Sequence, residues 1–209
     1  AASDVYKRQD YESAKADFDQ AISMDPKNYD RLIEIYEALA AHGYREVGQE
    51  YLQNVLDTAK QLDAYDSGRI YYYLGEYQKA YLALDEARDK GGADSYLYLG
   101  RAYAATGDYN YASSVYNNYL SKQGPNAEIY NELGLCEMAK KEYQNALAAF
   151  QAGKQIEGNS LMQTLCFNEI VAYEYLEDYQ QAEVLMNAYL QNYPDDQTAI
   201  REQQFLSTR

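Results

Sequence analysis

The chain has no tryptophan, one histidine, two cysteines and three prolines in 209 residues, and most of these scarcities close off a class of chemistry. The single histidine stands in Ala41-His42-Gly43, at a predicted turn where no nucleophile–base pair can be built around it. It reads as a helix-terminal residue. No phosphate-binding loop and no H-E-x-x-H pattern occur. Cys136 and Cys166 lack metal-ligand and redox spacing. The repeat frame below sets them on neighbouring helices about six positions apart, about 9 Å at 1.5 Å per residue, which is beyond the reach of a disulfide. Both therefore read as small buried thiols. Carboxylates are plentiful but spread along solvated helix faces, and Asp195-Asp196 behind Pro194 reads as a turn. The expectation is a chain with no catalytic residue, no cofactor and no metal site.

Cations are also in short supply: 18 Lys and Arg against 33 Asp and Glu leave a net charge of −15. Such a surface repels phosphate backbones and anionic headgroups, so nucleic acid and membrane surfaces are not expected partners. No apolar run approaches the roughly 18 residues of a spanning helix, so no membrane insertion is expected. Residues 1–9 are set apart. Residues 4–9, DVYKRQ, resemble the translated end of a transposon adapter used to prepare sequencing libraries, and are read as a scar. Their other reading is an ordinary helix end, with Val5-Tyr6 packed and Lys7-Arg8 solvated. On the scar reading the natural amino terminus is missing.

What the chain does have is a recurring phrase, Gly-[Asp/Glu]-Tyr-x-x-Ala-x-x-x-aromatic, at intervals close to 34 residues. Gly107-Asp108-Tyr109 with Ala112 and Tyr116 shows it whole, and Gly75-Glu76-Tyr77 with Ala80 and Leu84 nearly so. Tyr11, Tyr143 and Tyr179 head copies without the glycine, and Gly43-Tyr44-Arg45 falls in the one interval of double length. A period of this size means stacked supersecondary units. Each unit reads as helix, tight turn, helix. In residues 93–126 Tyr96, Leu99, Gly100 and Tyr103 share one face of the first helix. Gly100 admits a close neighbour, Gly107 supplies the left-handed turn residue, and Asp108 starts the second helix. Tyr109, Ala112, Tyr116 and Tyr119 form that helix's inward stripe. Pro26, Pro125 and Pro194 all fall between units, where a helix must stop.

The Leu99-Gly100…Tyr103, Ala112, Tyr116, Pro125 series resembles the tetratricopeptide repeat family, over residues 10–196. The resemblance implies an all-α, right-handed superhelical solenoid of stacked helix-turn-helix hairpins. Its parts would be a half unit at 10–28, units at 29–60, 61–92, 93–126, 127–160 and 163–196, and a capping helix at 197–209 holding Ile200 and Phe205-Leu206. Residues 161–162 are a small insertion. Departures from the family pattern are the missing tryptophan, with Tyr96 and Tyr130 in its place, and the degenerate unit 29–60, with Tyr36 for the mid-helix glycine and Gly48 for the second-helix alanine.

In this family the first helices line a concave groove that binds an extended peptide or a helix of a partner, and the expected function is a bacterial protein-interaction scaffold. The frame places Tyr65, Arg69, Tyr72, Tyr73, Tyr98, Arg101, Asn131, Leu135, Met138, Phe167, Asn168 and Tyr175 on that face, with Ile33, Glu34, Glu37, Leu97, Val171 and Glu174 beside them. Arg69 and Arg101 hold equivalent places in adjacent units. One reading makes them a paired site for a carboxylate, surrounded by tyrosines; the other pairs each with Asp66 or Asp94 on the wall. The family's lysine-and-asparagine carboxylate clamp is not matched, since the groove has Asn131 but no lysine. Most of the 26 tyrosines repeat at core spacing and read as packing. Two further functions stay open: a spacer or assembly module, and a regulatory arm of an enzyme lying upstream. The half unit at 10–28 leaves an apolar face that predicts self-association. The compartment is cytoplasmic by default, or that of an exported lipoprotein whose signal region is missing.

Overall fold

A computed structural model describes the backbone of residues 2–209 and the side chains of residues 12–209. The side chains of the DVYKRQ stretch and of Tyr11 lie outside the described residues. Among the described residues there are twelve helices and no strand. They are α1 (Ala2–Met24), α2 (Tyr29–Ala41), α3 (Arg45–Thr58), α4 (Ala64–Tyr73), α5 (Tyr77–Asp89) and α6 (Ser95–Ala105). Then come α7 (Tyr109–Gln123), α8 (Ala127–Ala139), α9 (Tyr143–Lys154), α10 (Met162–Tyr175), α11 (Tyr179–Asn192) and α12 (Gln197–Leu206). The chain forms two compact units, Ala1–Ala83 and Leu84–Arg209, with α5 crossing from one to the other.

Helix ends follow local chemistry. Short acceptors at the N-caps take an orphan amide: Asp108 accepts from Tyr111 N at 3.1 Å and Asp178 from Gln181 N at 3.1 Å. Asn126 accepts from Ile129 N at 3.0 Å. Glu142 stands at the equivalent place and makes no such bond; its longer side chain is poorly suited to the cap geometry. All three prolines lie outside the helices. The turn before α7 uses Gly107 at φ 83°, but the turns before α9 and α11 put Lys141 and Glu177 at φ 65° and 61°. Both belong to copies of the phrase that lack glycine, and a side chain there strains the backbone by about 1–2 kcal/mol.

In the first unit one core joins α2, α3 and α4 through Leu32, Ile33, Tyr36, Leu52 and Ile70, with Ile22 of α1 against it. The second unit carries three successive cores. The first joins α7, α8 and α9 through Ala112, Tyr116, Ile129, Leu133, Cys136 and Ala149. The next joins α8, α9 and α10 around Phe150 and Leu165. The last joins α10, α11 and α12 around Ile170, Met186 and Leu206. In the second unit α7, α9 and α11 thus each pack on the helix before and the helix after, which is how a repeat that cannot bury its apolar face alone is stabilised. Leu206 of α12 is buried, while Phe205 is exposed under the guanidinium of Arg209, 4.4 Å from the ring. Cys136 is buried, Cys166 only half-buried, and both are free.

Size complementarity sets the contact between the two helices of a hairpin. A Cβ on Gly100 would lie 2.3 Å from the ring of Tyr116, and one on Gly134 2.3 Å from the ring of Phe150. In the hairpin α2–α3 the sizes are exchanged. Tyr36 holds the place of Gly100, Leu52 that of Tyr116, and Gly48 gives room, since a Cβ there would stand 2.9 Å from the Tyr36 ring. The degenerate unit is therefore a compensated one.

Candidate functional site

In the second unit the first helices α6, α8 and α10 are tied along one face by polar side chains. Arg101 on α6 donates to Glu132 on α8 through Nε at 3.0 Å and Nη2 at 2.7 Å, and from Nη2 to Glu128 at 2.9 Å. Asn168 on α10 donates to Asn131 Oδ1 on α8 at 2.9 Å. Two large apolar groups stay open on these helices, Leu135 at 43% and Tyr175 at 57% exposure. Tyr175 stacks on Tyr143 with ring centroids 5.0 Å apart. Met138 is half-buried against the neighbouring core, and Phe167 meets Tyr189 edge-on at 5.7 Å.

The first unit has the same kind of tie. Arg69 on α4 reaches Asp30 on α2 and Asp66 on its own helix, both at 2.5 Å, and its guanidinium lies 4.4 Å from the Tyr65 ring centroid. Tyr73 donates to Glu37 at 2.6 Å and pairs with the rings of Tyr36 and Tyr72. Ile33 does not line this face: it is buried in the core with Leu32 and Tyr36.

Both arginines are thus committed inside their own unit. Burial alone would lower the pKa of each, but the hydrogen bonds Arg69 donates to Asp30 and Asp66, and at Arg101 the charge of Glu132, the hydrogen bond donated to it and the charge of Glu128, raise them above the usual guanidinium value. A carboxylate ligand at either arginine would have to displace two acids already in place. Asp66 does pair with Arg69, whereas Arg101 takes Glu128 and Glu132 rather than Asp94. The partners on neighbouring helices were missed because they lie 27 to 39 residues away in the sequence. The available signal was an acid one or five places into the neighbouring repeat's first helix.

The far end of the face carries a half-buried carboxyl. Glu174 on α10 has a buried Oε1 with no hydrogen-bond partner among the described residues. Burial, then the facing carboxyl of Glu202 on α12, push its pKa from 4.5 up to about 7. The folded chain therefore keeps this proton to higher pH than the unfolded chain. The contribution of this group to stability is most favourable below about 4.5, falls as pH climbs to about 7, and levels off beyond. A pKa unit is about 1.4 kcal/mol, and partial solvation reduces the whole effect to about 1–2 kcal/mol. Urea unfolding at pH 5 and pH 8 should show Glu174→Gln gaining that amount over the wild type at pH 8 only. An equal difference at both pH values would remove the carboxyl from this role.

Among the described residues no helix is long and apolar enough to cross a membrane, and no three His, Cys, Asp or Glu side chains gather to hold a metal ion. The family model of the tetratricopeptide repeat matches residues 65–112 and 99–159. No curated protein matches the sequence. Among solved structures, TTC0263, a thermophilic repeat protein of this family from Thermus thermophilus, aligns with a TM-score of 0.66 at 16% identity, over 87% of this chain and all of that one. YrrB, described as a repeat protein with an unusual peptide-binding site, aligns at 0.58 and 18% identity over 90% of this chain and 97% of its own. A chain of the Cut9–Hcn1 hetero-tetramer of the APC/C aligns at 0.62 and 17% identity over 93% of this chain, which spans only 39% of its length. At these identities the likeness is one of fold.

Proposed function

The chain belongs to the tetratricopeptide repeat family, and from that we propose that it is a non-catalytic interaction scaffold that takes a peptide or helix of a partner protein on its first-helix faces. Repeats of this family typically mediate protein–protein interaction. The observation that carries the reading is the tied face of α6, α8 and α10. Arg101 and Asn168 hold three first helices in line, while Leu135 and Tyr175 remain open to solvent beside them. Exposed aromatic and apolar anchors set among satisfied polar groups are what a partner can cover at low cost. Tyr98, Met138, Phe167 and Asn168 supply the flanking surface on α6, α8 and α10, with Arg101 as a tie; in the first unit Arg69 ties α4 to α2 beside Tyr65, Tyr72 and Tyr73.

Leu135→Glu with Tyr175→Glu should abolish capture of a partner from cell lysate while leaving the fold intact, because both side chains are exposed. Arg69→Glu with Arg101→Glu should unfold or loosen the chain as well, since each would set a new acid against two others. A partner held equally by wild type and the Leu135/Tyr175 variant would move the site to another face.

A further inference from the structure

The hairpin turn before α3 breaks the pattern of the others. The helices α5, α7, α9 and α11 each begin with tyrosine (Tyr77, Tyr109, Tyr143, Tyr179) preceded by an acid (Glu76, Asp108, Glu142, Asp178). Here Tyr44 takes the acid's place and Arg45 the tyrosine's. Tyr44 makes no side-chain cap bond, and a cation in the first turn of a helix opposes its dipole, though Glu46 follows it. Local stability favours neither change.

Arg45 also differs from three of the other arginines. Arg69, Arg88 and Arg101 each hold carboxylates. Among the described residues Arg45 meets none, and its Nη1 donates to the hydroxyl of Tyr36 at 3.3 Å. That guanidinium lines a cleft of about 490 Å³ with Tyr36, Tyr72, Tyr73 and Tyr77, and with Gly75 and Glu37 also in the lining. The rings form a continuous wall: Tyr36 to Tyr73 at 5.2 Å, Tyr73 to Tyr72 at 5.1 Å, Tyr72 to Tyr77 at 6.1 Å. Gly75, in the left-handed region at φ 78°, has nothing within 4 Å of where a Cβ would stand, so it leaves space there. Glu37, the one acid in the lining, is taken by the hydroxyl of Tyr73. The volume falls in the range of about 300–1,000 Å³ usual for small-ligand clefts.

We propose that this cleft binds the carboxyl-terminal residue of a partner chain when that residue is aromatic, with its ring against the tyrosine wall and its carboxylate on Arg45. Tyrosine rings take an aromatic guest edge-on or offset, and a guanidinium with open donors takes a carboxylate through two parallel bonds. The cation touches the wall itself, through Tyr36, so ring and acid must be carried close together. In a peptide, a terminal aromatic residue joins the two through a single Cα. The proposal rests on the interaction reading above and adds a class of partner segment, held at the turn edge of the first unit.

The test is an NMR titration of the ¹⁵N-labelled chain with N-acetyl-Ala-Phe as the free acid and as its amide. The acid should shift the amides of Tyr36, Tyr72, Gly75 and Tyr77. The amide probe should bind at least tenfold more weakly, and Arg45→Gln should bind the acid at least tenfold more weakly while keeping the wild-type spectrum elsewhere. Equal binding of acid and amide, no binding of either, or an unaffected Arg45→Gln would each overturn the proposal. Leu135→Glu with Tyr175→Glu should bind the acid normally. Failure of the cleft with loss of lysate capture in that variant, or the reverse, tells the two readings apart.

Discussion

Gly100→Leu should destabilise the chain by about 3 kcal/mol, the upper end of what overpacking a filled core costs. The neighbouring ring has nowhere to go: Tyr116 is fully buried, and even a bare Cβ on residue 100 would stand 2.3 Å from it. Leucine is a better helix former than glycine by most of 1 kcal/mol, which offsets only part of the clash. Tyr116→Ala alone should also cost about 3–5 kcal/mol, through lost burial and a cavity. The two changes together should cost less than their sum by more than 1 kcal/mol, because the new leucine enters the space the ring leaves. Nature has made a related exchange in α2–α3, where Tyr36 faces Gly48 and Leu52. Urea unfolding of the two single variants and the double variant measures the coupling; simple additivity would mean the two residues do not share one space.

The second large effect is expected at Lys154. Its ammonium meets Glu169, whose side chain is only 6% exposed, and Gln151 Nε2 donates to the other oxygen at 2.9 Å. Lys154→Met leaves a buried carboxylate without its cation, which typically costs 3–5 kcal/mol. Adding Glu169→Gln removes the charge and should recover more than half of the loss. The pattern matters more than the size: the double variant must be more stable than Lys154→Met alone. If Lys154→Met is neutral, Glu169 is better hydrated than the packing of α9 on α10 indicates.

Much of this fold was legible in the sequence because repeat packing is local. Gly100, Ala112 and Tyr116 mark one hairpin contact, and the same three places can be compared across units. Asp108 announced a helix start, and each proline fell outside a helix. The places where packing is exchanged were harder. Tyr36 and Gly48 read as decay of the pattern, because their compensation is visible only once the ring is seen over the glycine. Likewise Lys141 and Glu177 show no sequence mark of their left-handed conformation other than their place in the phrase.

The candidate site was less legible, since its chemistry depends on contacts between helices. Arg69 and Arg101 were recognisable as equivalent, but their acids come from different directions: Arg69 takes Asp30 from the preceding first helix, and Arg101 takes Glu128 and Glu132 from the following one. An acidic composition hides such choices, because an acid lies within reach of every cation in the sequence. The burial of Ile33 had a similar cause: the matching Leu97 is half-buried and Asn131 buried, so this place in the first helix belongs partly to the core. Arg45 was written in the break from the repeated phrase, and only the tyrosine wall gives that break a chemical meaning.

On this account a partner binds the first-helix face. Hydrogen exchange on the complex with a partner captured by the wild-type chain tests it most directly. Protection gained on α6, α8 and α10 around Leu135 and Tyr175, with α7, α9 and α11 unchanged, is the expected result. Protection confined to α7, α9 and α11 would contradict it.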